Sequence, residues 1–309
     1  MSPDVSILLL ARDGIATLPA LLDALDAQSS PYRVETVAVD SGSTDGTAQL
    51  LRRRVDRVVE IPAGSFNHGS TRNLGVGLCR GRYVVLLVQD AEPLGDGWLS
   101  ALVGPLAGDE GLAGSFARQV PREGASALTR LYLARWVAAA PEPRTTYLAT
   151  PETFDDMSPM ERFVASAFDN VCSCIRRSVW ERIPFRETAI AEDVEWGRDV
   201  LLAGHGLAYV PEAAVVHSHD RPASYELGRT YLVHQRLRAL FGLATIPDLA
   251  SLALAVATTV PSHLRCVAAQ GRLRELPRAV ALGVALPLGQ YLGVRSADTG
   301  RQWLRPRGI

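Results

Sequence analysis

Three acidic stretches of this chain stand where carboxylates could do chemistry. They are Val39-Asp40-Ser41-Gly42-Ser43-Thr44-Asp45-Gly46-Thr47, Val88-Gln89-Asp90-Ala91-Glu92-Pro93 and Ala191-Glu192-Asp193-Val194-Glu195-Trp196. Each follows an apolar run or lies in a loop. In this order and at this spacing they suit transfer from a nucleotide-linked sugar. One acid would hold the nucleoside, one a metal on the diphosphate, and one would take a proton from the acceptor.

Taken singly, each stretch also has a plainer reading. Asp40 at a strand end, followed by small residues and a helix start, can accept the N–H of a pyrimidine or a ribose hydroxyl, and Gly42 lets backbone approach a ligand. It can equally be an ordinary turn, with Asp45 capping the next helix. The run Phe66-Asn67-His68-Gly69-Ser70-Thr71-Arg72-Asn73-Leu74-Gly75 puts Arg72 and Asn73 in a first helical turn. There a guanidinium can fork onto phosphate and backbone N–H groups add donors; the alternative is a cap and a surface Arg. Asp193 is the candidate general base, since the acceptor hydroxyl must lose its proton as it attacks. Its plainer reading is that Glu192 and Asp193 favour the helix dipole. Glu195 could assist, and Trp196 could be an acceptor platform or simply core.

The elements that must position these residues are legible in outline. Apolar runs predict strands at 5–10, 35–39, 55–61 and 83–88, alternating with helices at 17–27, 47–54 and 70–78. Such alternation predicts an α/β fold with a parallel sheet and right-handed crossovers. Ligands then gather at the carboxyl ends of the strands, where Asp13, Asp40 and Asp90 fall. Further on we expect strands at 112–119 and 171–175, a helix within 122–147, a polar mobile loop at 150–160, and helices at 177–182 and 192–203. Two short strands, 208–210 and 214–217, come before His217 and His219, which share one face. A basic helix is expected at 231–241. Apolar segments at 249–260 and 279–294 flank an Arg-rich stretch, and both are shorter than the ~20 residues that span a bilayer. They suit an in-plane membrane hairpin, or packing on the domain or on a second copy of the chain.

Bulk composition narrows the partners. The 309 residues carry 32 basic and 33 acidic groups, a net charge of −1, which argues against a nucleic-acid partner. Every basic residue is Arg; none is Lys, a compositional trait to which we attach no function. From Arg221 onward 12 Arg face four acids, so an acidic body carries a basic tail suited to an anionic membrane surface. Cys79, Cys172, Cys174 and Cys266 form no zinc-type pairs and suit buried thiols in a reducing cytosol. The N-terminus shows no basic signal-peptide region.

Residues 4–240 resemble a family 2 glycosyltransferase of the GT-A fold, and within it the bacterial rhamnosyltransferase-like members. The resemblance is carried by the Asp40–Thr47 and Phe66–Gly75 runs, Gln89-Asp90-Ala91, Gln119-Val120-Pro121-Arg122, Glu192–Trp196 and Val216-His217-Ser218-His219. It implies a Rossmann-like mixed sheet over residues 1–240 with a helical, basic and apolar extension over 241–309. It also implies inverting, metal-dependent transfer from a nucleoside-diphosphate sugar. On that basis Asp13, Asp40, Gly42, Asp45, Arg72, Asn73, Gln89 and Asp90 line the donor site. Asp90 is the metal-side acid of the usual Asp-x-Asp, and His217, with His219 beside it, completes the shell around Mg²⁺ or Mn²⁺. The chain departs from the pattern at Val88, where the first acid would stand; Asp90-Ala91-Glu92 is the other way to read the pair. Glu192, Glu195 and Trp196 fall on the acceptor side. Gln235-Arg236-Leu237-Arg238-Ala239 partly matches a motif of processive synthases, but Ala239 replaces its Trp, so a single addition is expected. The expected reaction moves L-rhamnose from dTDP-rhamnose to a cell-surface glycan or lipid-linked acceptor, in the cytoplasm or at the inner membrane face. A UDP-sugar donor, a nucleotidyltransferase and a catalytically degenerate nucleotide-sugar-binding scaffold are the alternatives.

Overall fold

The computed structural model describes residues 2–305. Nine strands form one mixed sheet: β1 (Val5–Ala11), β2 (Val34–Asp40), β3 (Arg57–Glu60), β4 (Tyr83–Val88), β5 (Glu92–Pro93), β6 (Leu112–Val120), β7 (Arg144–Thr146), β8 (Cys172–Arg176) and β9 (Gly206–Val216). Their order is β3-β2-β1-β4-β8-β6-β9-β5, with β7 also pairing β9. The first four strands in sequence are mutually parallel, as the alternation predicts. β8 runs antiparallel to both β4 and β6, which makes the sheet mixed. Around them lie α1 (Leu18–Asp26), α2 (Thr47–Arg54), α3 (His68–Leu78), α4 (Trp98–Gly108), α5 (Ala127–Leu133), α6 (Pro151–Asp156), α7 (Pro159–Ala165), α8 (Arg177–Trp180), α9 (Glu192–Leu202), α10 (Ala223–Phe241), α11 (Leu249–Ala269) and α12 (Leu276–Thr299).

The chain divides into two compact units: 1–120, 136–156 and 164–217, and then 121–135, 157–163 and 218–309. In the first unit the sheet is buried on both faces, so its strands are apolar throughout. Val5, Ile7 and Leu9 of β1 join Val85 and Leu87 of β4 in a core with Leu18, Leu21, Trp98 and Leu102. Their neighbours Leu8, Val84 and Leu86 point the other way, into a core with Phe116, Phe168, Trp196 and Tyr209. Register places the site. Ala11 pairs with Asp40 and Leu10 with Val88, so the loops after β1, β2 and β4 leave the sheet at one edge.

In the second unit α5 and the C-terminal helices share a small core of Ala127, Leu128, Val267, Ala279 and Leu282. α12 approaches α10 closely because Gly289 and Gly293 lie against it; a β-carbon at Gly293 would stand 2.5 Å from the carbonyl oxygen of Tyr231. Compactness therefore groups α10, which begins at Ala223, with the helices beyond residue 241.

Several local expectations change. The segment 150–160 is two short helices instead of a loop. Ser158 and Glu161 form a reciprocal cap, the Ser158 N–H donating to the Glu161 carboxylate at 2.8 Å and the Glu161 N–H to the Ser158 hydroxyl at 3.3 Å. The helix expected within 122–147 is only α5, with Pro141 and Pro143 in the stretch that follows. The two short strands before His217 are one, β9. Its register against β6 jumps from Val210 to Ala214, so Pro211-Glu212-Ala213 bulge without ending the strand. α11 continues through Pro261 to 21 residues, so the expected length limit fails: with a mean hydropathy of 1.3 it is long and apolar enough to cross a bilayer.

Candidate active site

The loop after β1 is held by the loops after β2 and β4. Gln89 clasps it in both directions: the Arg12 N–H donates to Gln89 Oε1 at 2.8 Å, and Gln89 Nε2 donates to the Arg12 carbonyl at 2.9 Å. Asp13 has a left-handed backbone, φ 45°, and its carboxylate accepts the Thr44 N–H at 2.8 Å. Asp45 accepts the N–H groups of Thr47 and Ile15, both at 3.0 Å, which ties the start of α2 to the same loop. Asp40 is 1 % exposed, and its carboxylate accepts the backbone N–H and the hydroxyl of Ser43. Gly42, at φ 74°, lies so close to Ala63 that a β-carbon would meet its backbone nitrogen at 2.9 Å. Asp13, Asp40, Gly42, Asp45, Gln89 and Asp90 are thus brought to one sheet edge.

Arg72 is built into the interior, and Asn73 beside it is half-buried. Asn67 caps α3, its amide oxygen accepting from Gly69 and Ser70. Asn73 donates to the Phe185 carbonyl at 2.8 Å and accepts from Phe185 N–H and Trp180 Nε1. Its amide thereby fixes the 180–186 segment. Arg72 is buried and pairs with the equally buried Glu192, Nη1 to Oε1 at 3.0 Å. The Asn170 amide also donates to that oxygen, at 3.2 Å. Burial alone would push the Glu192 carboxyl up; the charges of Arg72 and then His68 outweigh it and hold it below the usual range.

This network delivers Asp193. Ala191, a non-glycine residue at φ 60°, turns the chain into α9. The Asp193 carboxylate accepts its neighbour Val194's N–H at 2.8 Å and the Asn170 N–H at 3.3 Å. Burial, then the charges of Glu192 and Asp169, push its pKa up to about 8, although the residue keeps some exposed surface. The expected acceptor-side residues do not fare alike. Trp196 is core: it is 1 % exposed, packs against Phe168 and Phe185, and donates its indole N–H to the Ile183 carbonyl. Glu195 is buried on the same helix, with Arg198 at 3.8 Å.

The third station lies in the turn between β4 and β5, where β5 pairs with the end of β9, Glu92 opposite Val216. His217 Nε2 is 3.7 Å from Asp90 Oδ1. Asp90 and His217 thus each offer a ligand atom to the same space, and His219 follows two residues later along the chain. Mn²⁺ and Mg²⁺ are both hard cations that favour oxygen, but an imidazole beside a carboxylate is less foreign to Mn²⁺ than to Mg²⁺, which keeps its waters and takes few protein ligands.

Residues 6–171 match the family model described as glycosyl transferase family 2. The chain belongs to this family. As a family 2 glycosyltransferase it is similar to two O-antigen chain rhamnosyltransferases. WbaN of Salmonella anatum is 29 % identical over 200 residues, 64 % of this chain and 60 % of that protein. RfbN of Salmonella typhimurium is 30 % identical over 219 residues, 69 % and 66 % respectively. The matched region spans less than two thirds of either relative. Among solved structures, the mannosyltransferase PcManGT of Pyrobaculum calidifontis, in complex with GDP-Man and Mn²⁺, aligns over 98 % of this chain and 89 % of its own, with a TM-score of 0.63 and 18 % identity. Glucosyl-3-phosphoglycerate synthase of Mycobacterium tuberculosis, with Mn²⁺, UDP and glucosyl-3-phosphoglycerate, aligns over 80 % and 82 %, at 0.55 and 20 %. These likenesses show the GT-A fold of a glycosyltransferase.

Sequence reasoning missed Asp169 and Asn170 of this glycosyltransferase. Asp169 lies between Phe168 and β8, where it accepts from Gln119 Nε2, Trp136 Nε1 and the Val171 N–H. Its signal was a lone polar pair, Asp169-Asn170, before an apolar strand.

Proposed function

We propose that the chain is an inverting, metal-dependent glycosyltransferase that moves a single L-rhamnosyl group from dTDP-rhamnose to a glycan or lipid-linked acceptor at the cytoplasmic face of the cell envelope. The observation that carries the mechanism is Asp193: a carboxylate held at a helix start, raised to about 8 by burial and by its acidic neighbours, and still open in part to solvent. A base of that strength is well matched to a hydroxyl at near-neutral pH. The acceptor oxygen bonds to the anomeric carbon, the bond from that carbon to the diphosphate breaks, and the hydroxyl proton passes to Asp193. The names of the two rhamnosyltransferases support the sugar.

Asp90 and His217 are the residues that would hold a divalent cation, by their chemistry and their closeness, with His219 next along the chain as the further candidate ligand. When bound, the ion supplies positive charge against the charge that develops on the leaving diphosphate. Asp40 closes the turn that a nucleoside would meet, and Gln89 and Asp13 keep that loop in place. Glu192, tied to Arg72, acts in this reading as support for Asp193 and not as a contact to the acceptor. The exposed face of α11 and the Arg-rich segments around it suit a membrane surface or a second copy of the chain.

The test is thermal stabilisation by dTDP, dTDP-rhamnose, UDP and GDP, each with and without Mn²⁺, followed by transfer assays with the stabilising donor. A Mn²⁺-dependent shift with dTDP-rhamnose is expected. A shift confined to UDP- or GDP-linked donors would discard rhamnose and keep the class. No shift with any nucleotide would overturn the donor-site assignment.

A further inference from the structure

We propose that Asp169, acting through Gln119, fixes which ring nitrogen of His217 faces Asp90 and thereby sets the affinity of this site for a divalent cation. The inference rests on the metal-holding reading above and assigns positioning roles to two residues that touch neither the ion nor the sugar.

The argument starts from what each atom can do. Asp169 is a buried carboxylate just ahead of β8. Oδ1 accepts the Val171 N–H at 3.0 Å, and Oδ2 accepts Trp136 Nε1 at 2.9 Å and Gln119 Nε2 at 2.6 Å. A carboxylate receiving three N–H groups has only acceptors to offer, so the Gln119 amide must present its NH₂ to it. The opposite amide orientation would set two oxygens against each other at that distance. Gln119 Oε1 is therefore turned the other way, and it lies 2.9 Å from His217 Nδ1. An amide oxygen cannot donate, so Nδ1 carries the hydrogen. In a neutral imidazole that leaves the lone pair on Nε2, the nitrogen that faces Asp90 at 3.7 Å.

The sheet makes this chain of contacts rigid. Gln119 and His217 lie at the ends of the paired strands β6 and β9, where Gln119 pairs with Val215 and the His217 N–H donates to the Val120 carbonyl at 2.9 Å. Gln119 is itself buried, and its N–H donates to the Ala138 carbonyl at 2.7 Å. Neither side chain can turn without breaking contacts that pass into the core. Outer partners of this kind orient a ligating imidazole, and their loss lowers metal affinity by roughly 10- to 100-fold.

Two readouts test the proposal on the full chain: titration with Mn²⁺ followed by the electron paramagnetic resonance of the free ion, alone and with dTDP, and the two-bond ¹H–¹⁵N histidine spectrum of the metal-free protein. The parent should show His217 with its hydrogen on Nδ1. Gln119→Leu should mix the two tautomers and weaken Mn²⁺ binding about 10- to 100-fold. Gln119→Glu alone sets a second carboxylate against Asp169 and should weaken binding as well. Asp169→Leu, which removes the acceptor that fixes the Gln119 amide, should likewise mix the tautomers and weaken binding. Circular dichroism and melting curves establish that each variant is folded. An Nε2–H tautomer in the parent, or a folded Gln119→Leu or Asp169→Leu variant that binds Mn²⁺ like the parent, overturns the proposal. A parent that binds no Mn²⁺ sinks the metal assignment itself and this inference with it, whereas a binding parent with indistinguishable variants overturns this inference alone.

Discussion

Asp40 and Asp193 are both carboxylates taken out of bulk water, and the more deeply covered of the two has the quieter surroundings. Asp40 is 1 % exposed, but its oxygens accept from the backbone and hydroxyl of Ser43, so it makes a stiff turn. Asp193 keeps more contact with solvent, yet it shares its space with Glu192 and Asp169, and its pKa rises to about 8. The difference teaches that burial sets the stage, while neighbouring donors and like charges decide whether an acid becomes a scaffold or a base.

The largest effect should come from removing the base. Asp193→Asn is expected to lower the transfer rate by about 10²- to 10⁴-fold with nucleotide binding little changed; a variant that turns over normally removes Asp193 from the mechanism. The same substitution sharpens the comparison through stability. The folded chain holds a proton on Asp193 that the unfolded chain releases in the ordinary carboxylate range, so stability falls as pH climbs from there towards about 8. Asp193→Asn lacks that penalty and should melt above the parent at pH 8, with the gap closing towards pH 5 in scanning calorimetry.

Next in size, chelation of divalent ions or His217→Ala should reduce transfer while leaving the pH dependence of any residual rate in place. Equal rates with and without chelator would detach the Asp90 station from catalysis. In the parent, transfer at limiting donor should rise about tenfold per pH unit up to about 8 and then level, because the carboxylate form of Asp193 is the working one. A profile already flat at pH 6 would show that no base of this strength acts. The smallest effect belongs to the scaffold acid: Ser43→Ala, which removes one donor from Asp40, should cost about 0.5–1.5 kcal/mol of stability in denaturant titration and leave the pH profile unmoved.

The first half of the fold was legible because buried parallel strands write themselves as apolar runs and their acids follow at the carboxyl ends. Asp40 and Asp90 could be picked out for that reason, and Asp193 as an acid at a helix start. What could not be read is where side chains are used up. Asn73 in a helical first turn looks the same in sequence whether it meets a phosphate or, as here, the Phe185 backbone. Trp196 beside Asp193 has the same spelling as a platform and as core, and only the packing of Phe168 and Phe185 decides. Asp169 was missed because a single acid carries no periodicity; its meaning lies in Gln119 and Trp136, 50 and 33 residues away. The Ser158–Glu161 cap, by contrast, was present in the letters as Ser-x-x-Glu, and the prolines around it drew the reading towards a loop.

Ala191 holds a left-handed backbone that suits glycine better, at a cost on the order of 1 kcal/mol. Laboratory evolution towards heat tolerance would therefore be drawn to this codon, since glycine there relaxes the joint. That joint sets the angle at which α9 leaves the preceding loop and presents Asp193. A lineage hardened by this route would gain melting temperature while losing aim, and its descendants would carry the trade in one small residue.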